Sequence, residues 1–169
     1  MTLYRADSNS TDNSTEGTES TRLETVPGEH AFLGSSAPCS GSTFIIRRVS
    51  SGKVITQLGG RIMLAHQGGE GSILWTCVES GGWLGFQDPI SNRFLGHGVN
   101  GTICCTSKRH LGFEYFQARP TLKGGYVLVM THWLFWRRYV VMIEEEGLEK
   151  LAKIGDRESD GVVWEFIQT

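Results

Sequence analysis

No stretch of this chain approaches the roughly 20 apolar residues that a membrane-spanning helix requires. Its first ten residues, Met1 to Ser10, hold no apolar run of the kind that marks an export signal. Both absences lead to the expectation of a soluble, cytoplasmic protein without a membrane partner. An excess of one charge is also missing: 16 Lys and Arg stand against 18 Asp and Glu, a net charge of -2. That balance supplies no global basic field for sequence-independent nucleic-acid binding, so nucleic acid is not an expected partner. Cysteine is sparse. Cys39, Cys77, Cys104 and Cys105 are expected as free thiols in a reducing compartment. With 169 residues, the chain has room for one domain and a tail and excludes a multidomain enzyme. Recognisable catalytic motifs are absent too. No Gly-x-Ser-x-Gly elbow, phosphate-cradling loop or nucleophile-base pairing occurs, and His66, His97, His110 and His132 show no metal-ligand spacing. The expectation is no metal and no cofactor.

Glycine, in contrast, is abundant: 22 of 169 residues, nearly twice the usual share of about 7%, which implies many turns. From Asp7 to Thr21 nearly every residue is Ser, Thr, Asn, Asp, Glu or Gly, too little apolar surface to offset the entropy of ordering, so disorder is expected. The first forty residues carry six acids and two bases, leaving the remainder at +2. Residues 1–41 thus read as a disordered acidic tail followed by a turn-rich lead-in, with Phe32 and Leu33 expected to pack outside the domain. Asn9, Asn13 and Asn100 have glycosylation spacing, which a chain outside the secretory route does not use.

From Gly41 onward, short apolar runs rich in Val, Ile, Phe, Tyr and Trp alternate with Gly, Asn, Asp and Pro, a strand pattern. One four-part pattern fits residues 42–80, 81–121 and 122–169. First strands begin at Phe44, Trp83 and Tyr126; second strands contain Lys53, Arg93 and Arg138; third strands open at Gly60, Gly101 and Gly147. Fourth strands are read as Leu74 to Val78, Gly112 to Phe116 and Val163 to Ile167. In these, Trp75 with Cys77, Phe113 with Tyr115 and Trp164 with Phe166 share one face, and that aromatic face is expected to fill a small barrel. The third-repeat alignment makes Leu148 to Ala152 a strand and leaves room for a helical turn at Glu144 to Gly147. Cys104 and Cys105 then point to opposite faces and are read as packing residues. Twelve short strands in three groups without crossover helices predict an all-β fold, a β-trefoil of three four-stranded repeats.

The order of apolar strand, turn, base with an apolar pair, Gly-led strand and aromatic-x-aromatic resembles the fascin-like, actin-crosslinking branch of β-trefoils, with Ser91-Asn92-Arg93-Phe94-Leu95-Gly96 carrying the likeness most closely. The resemblance covers residues 42–169 and implies the trefoil fold and an actin partner. Fascin-type proteins join four trefoils, whereas only one is read here. The Gln-x-Trp signature of ricin-type sugar-binding trefoils is missing, since Ile73-Leu74-Trp75 and Val162-Val163-Trp164 occupy its places.

The first-to-second-strand connection is longest in the third repeat, where Thr131-His132-Trp133-Leu134-Phe135-Trp136-Arg137-Arg138 clusters aromatics with arginines. Exposed aromatics rimmed by Arg suit a sugar face or a protein hot spot. Trp133, Phe135, Trp136 and Arg137 are therefore the expected binding residues; the competing reading has them cover the barrel end or hold the tail. Two functions follow. One is a non-enzymatic binding module for a protein or glycan. The other is a small-molecule cyclase or isomerase of a biosynthetic pathway, with His97, His132 or Glu144 as acid or base in a loop-built pocket. A flat aromatic hairpin favours the first, and a cavity of several hundred cubic ångströms holding a buried His or Glu favours the second.

Overall fold

The computed structural model describes residues 35–132, 136–145 and 148–169, without the side chains of His132, Trp136, Glu145 and Leu148. Twelve strands make up the domain: β1 Thr43–Arg48, β2 Val54–Leu58, β3 Arg61–Ala65, β4 Leu74–Ser80, β5 Trp83–Asp88, β6 Arg93–His97, β7 Ile103–Ser107, β8 Phe116–Pro120, β9 Tyr126–His132, β10 Trp136–Glu145, β11 Leu148–Gly155 and β12 Val163–Gln168. No helix among the described residues is long and apolar enough to cross a membrane.

The strands end where the sequence supplies residues able to take a positive φ, as at Gly81 and Gly82 (φ 57° and 81°) in the tight β4–β5 turn. All pairing is antiparallel. β1 pairs β4, β4 pairs β5, β5 pairs β8, β8 pairs β9, β9 pairs β12 and β12 returns to β1, closing six strands into a ring. β2–β3, β6–β7 and β10–β11 form hairpins beside the ring. These hairpins touch one another through Arg61 opposite Cys104 and Thr102 opposite Ala152. Outside the strands, Ser36 donates its N–H to the Phe166 carbonyl at 2.8 Å, and the Ser35 hydroxyl accepts the Phe166 N–H.

Inside the ring lie Phe44, Trp75, Cys77, Phe86, Phe116, Trp164 and Phe166, all fully buried. Phe166 is central: its ring meets Phe44 at 5.8 Å, Phe86 at 5.6 Å and Tyr126 at 5.6 Å between centroids. Trp75, Cys77, Trp164 and Phe166 therefore face inward as the alternation required. Cys105 is buried in β7 and its neighbour Cys104 is half-buried, as strand geometry demands.

One sequence expectation fails. Phe113 and Tyr115 do not lie in a strand or in the core; Phe113 is 52% exposed and the buried ring is Phe116. The reason is one tight 3-10 turn at Gly112–Glu114, closed by the Glu114 N–H on the Leu111 carbonyl (2.8 Å) and by the Leu111 N–H on the Glu114 carboxylate (3.1 Å). That turn delays β8, so Phe116 takes the position assigned to Phe113. Leu148 to Ala152 lie in β11, as the third-repeat alignment required, and Glu144 and Glu145 extend β10 opposite Glu149 and Leu148. Opposed carboxylates at Glu144 and Glu149 are tolerated because Glu149 accepts Lys53 at 2.8 Å and Arg48 at 3.6 Å.

Candidate functional site

A cleft of about 840 Å³ opens between the β6–β7 hairpin, the 3-10 turn and β11. Trp83, Phe113 and Tyr115 supply its aromatic wall, Val99 and Ile154 its rim, and His97 and Lys153 its polar floor. Among the described residues no carboxylate lines it.

Local geometry sets the wall. Trp83, the first residue of β5, lies flat against Tyr115, with centroids 5.7 Å apart and planes 4° from parallel. Behind Tyr115 stands His110 at 4.9 Å, edge to face, and His110 stacks on Phe94 at 5.5 Å. His110 fits there because residue 85 is glycine: a Cβ on Gly85 would come within 2.6 Å of the imidazole. The row of rings is thus braced from below, which fixes the outer faces without ligand. On the other side, Phe113 tilts against His97 with centroids 4.5 Å apart.

The floor is ordered by the turn after β6. Gly98 accepts from Gly101, Asn100 accepts from Thr102 through its side chain, and Gly101, at φ 83°, accepts the Lys153 N–H at 2.9 Å. This last bond ties β11 to the cleft. His97 and Lys153 are 7% and 6% exposed. Nδ1 of His97 lies 2.8 Å from the Gly98 carbonyl, which only accepts, so Nδ1 carries the proton. Nε2 then accepts from the Lys153 Nζ at 2.9 Å, while the same Nζ donates to the Thr131 carbonyl at 3.0 Å. Burial, reinforced by the charge of Arg138, pulls the Lys153 amine below the ordinary lysine range. Arg138 itself pairs with Asp156. Glu114 lies behind the wall, not in the cleft; burial pushes its carboxyl up, against the lowering effect of the Leu111 N–H and the Ser107 hydroxyl.

Of the residues singled out in the sequence, His97 is in the cleft. Glu144 is exposed on β10 and is not part of the lining. His132 closes β9 opposite Trp136, which opens β10, and the side chains of both lie outside the described atoms. Trp133 and Phe135 lie outside the described residues altogether. Arg137 is exposed and stands opposite Thr131, a cleft residue. Sequence reasoning did not find Lys153 or the outward role of Trp83, Phe113 and Tyr115. For Lys153 the signal was present: one lysine inside Leu151-Ala152-Lys153-Ile154, where a solvated base was not expected.

No protein-family model matches the sequence, and no curated protein matches it. Solved structures do. The ricin B-like lectin of Macrolepiota procera, solved with lactose, superposes with a TM-score of 0.62 at 14% identity, covering 79% of this chain and 100% of that one. A protein described as the BEL beta-trefoil gives the same score and identity over 79% and 97%. An exo-β-1,3-galactanase from Clostridium thermocellum scores 0.64 at 15% identity over 79% of this chain, and a GH43 β-1,3-galactosidase scores 0.64 at 10% identity over the same share. This chain spans only 32% and 28% of those two enzymes. At such identities the likeness concerns architecture alone, and the architecture it establishes, with the closed all-β ring above, is that of a β-trefoil.

Proposed function

We propose that this trefoil is a non-enzymatic binding module that seats a glycan in the Trp83–Tyr115–Phe113 cleft. The carrying observation is the braced aromatic wall facing a floor of His97 and Lys153 within about 840 Å³. Aromatic faces cover the apolar C–H face of a pyranose, and a few polar groups fix its orientation. The lactose-bound state of one trefoil of this shape supports the ligand class. We further propose that Trp133, Phe135 and Trp136 contact the same ligand, a reading supported by Arg137 standing opposite cleft residue Thr131 in the β9–β10 pairing. The twelve strands divide, in this reading, into three related four-stranded units. The fascin-like variant of the proposal replaces the glycan by actin, and actin co-sedimentation separates the two.

The test is a glycan array followed by titration of the best binder, read by intrinsic tryptophan fluorescence. Trp83→Ala is expected to weaken binding about thirtyfold, the equivalent of about 2 kcal/mol for a central aromatic anchor. An array without a single binder, or an unchanged affinity for Trp83→Ala, overturns the reading.

A second reading, a small-molecule enzyme, is favoured by the criterion of cavity and buried histidine, since the cleft of about 840 Å³ holds the buried His97. The cleft is deep enough to bury a histidine and a lysine in mutual contact, the arrangement of an acid-base pair.

A further inference from the structure

The floor of the cleft has a chemical property that sugar binding does not use. Lys153 is held by β11 between buried Leu151 and Ala152 on one side and exposed Ile154 and buried Gly155 on the other, and it lines an aromatic cleft. Among the described residues, no carboxylate lies within ion-pair distance of that amine. The charge that acts on it is that of another cation, Arg138. Both hydrogen bonds at Nζ are donations, to Nε2 of His97 and to the Thr131 carbonyl. A neutral primary amine has two N–H groups, so both are engaged and its lone pair is left over. Two neutral acceptors and, among the described residues, no counter-anion make a setting for an uncharged amine. Desolvation next to a second cation is the standard physical route to a nucleophilic lysine.

We propose that Lys153 is a carbonyl-capturing residue, condensing with a small aromatic aldehyde or ketone in the cleft to form a Schiff base. The Nζ lone pair attacks the carbonyl carbon, forming the C–N bond as the carbonyl π pair moves to oxygen, which takes up a proton from water. The nitrogen, now cationic, passes a proton to Nε2 of His97, already 2.9 Å away. The imidazolium protonates the carbinolamine hydroxyl, which leaves as water, the remaining nitrogen lone pair closes the C=N bond, and the iminium so formed gives its N–H proton to the hydroxide left by the first proton transfer. One amine and one carbonyl yield one imine and one water, with no oxidant or reductant. The stacked Trp83 and Tyr115 rings select a planar carbonyl compound over an aliphatic one.

The probe is benzaldehyde with sodium cyanoborohydride, applied to the full chain at neutral pH, with labelled lysines located by peptide mass mapping. Lys108 and Lys123, both exposed, are the internal references. Lys153 is expected to be labelled severalfold faster than either, because desolvation beside Arg138 keeps more of its amine as free base at neutral pH. In urea the preference is expected to vanish. His97→Gln is expected to slow labelling of Lys153 without changing that of the references, and Lys153→Arg to remove the fast site while far-ultraviolet circular dichroism is retained. Labelling of Lys153 no faster than Lys108, or an equal preference in urea, overturns the proposal. Failure here is distinguishable from failure of the glycan reading. A glycan that still binds a chain whose Lys153 resists labelling leaves that reading intact, and fast labelling of a chain that binds no glycan leaves this one.

Discussion

Trp75 and Trp164 are both fully buried, yet their indole N–H groups are treated differently. Trp75 donates to the Ile55 carbonyl at 3.1 Å, whereas the Trp164 N–H has no partner among the described residues. Replacing a buried indole by phenyl removes volume in both cases, but at Trp75 it also strands a carbonyl while at Trp164 it removes an orphan donor. Trp75→Phe is expected to cost about 1 kcal/mol more than Trp164→Phe in urea unfolding. Trp164→Ala, which empties the site, is expected to cost about 3 to 5 kcal/mol; a urea midpoint that barely moves contradicts the inward assignment. Two carboxyls give opposite acid responses. For Asp88, burial works against the charge, but donors from Ser72, Ser91 and the Ser91 and Ile90 N–H groups outweigh it and hold the carboxyl below its ordinary value. The stability from Asp88 is therefore full above the unfolded value near 3.9 and is lost as the pH falls through the lower folded value. Glu114 is raised, so its ionisation subtracts stability at neutral pH, and that cost is relieved as the pH falls through the raised value toward the unfolded one. Urea midpoints followed against pH are expected to show Glu114→Gln gaining on wild type at pH 7 and losing the gain near pH 4, while Asp88→Asn is weaker at pH 7 and converges in acid. The thiols separate similarly: burial first, then neighbouring negative charge, pushes Cys77 and Cys105 up to about 12. Native-state titration with a disulfide reagent is expected to label Cys39 and Cys104 and to reach the other two only on unfolding.

Among the elements, the 3-10 turn decides most. It lifts Phe113 and Tyr115 out of the core and makes them the wall of a site, and it rests on Gly96, where a Cβ would come within 2.9 Å of the Phe113 carbonyl and 3.0 Å of Glu114 Cγ. Gly96→Ala is expected to cost about 1 to 3 kcal/mol, as overpacking does, and to weaken ligand binding by displacing the turn. Gly112→Ala, whose Cβ meets nothing within 4 Å, is expected to stay within about 0.5 kcal/mol of wild type. An unfolding experiment that ranks the two the other way removes the turn from its role. Here also lies the boundary of what the sequence discloses. The alternation of Trp75 with Cys77 and of Trp164 with Phe166 was legible because nothing interrupts those strands. In Gly112-Phe113-Glu114-Tyr115-Phe116 the same period-two pattern runs through a turn. The device that breaks it, a carboxylate bonded to the N–H three residues before it, is indistinguishable in sequence from an outward strand residue. Lys153 and His97 are 56 residues apart and meet only because the hairpins do, so no local motif announces their contact.

At the scale of the molecule, closing the ring joins the first strand to the last, with Arg47 bonded to Glu165 at 2.6 Å across 118 positions. Such distant pairing predicts folding in the range of milliseconds to seconds, measurable by stopped-flow dilution from urea. The acidic Ser/Thr composition before residue 26 adds little apolar surface, so a chain without residues 1–25 is expected to melt within a few degrees of the whole. The closure between β1 and β12 also determines how the domain meets tension. Phe44 lies opposite Gln168, and Arg48 lies opposite Trp164, so the polypeptide enters and leaves at the same end of one antiparallel ladder. A pull on the chain ahead of β1 first loads the bonds of Ser35 and Ser36 to Phe166, and the β1–β12 ladder then opens from its outermost rung inward, as a zipper, instead of being sheared along its strands. Along that axis the ladder has no row of rungs that share a load at once.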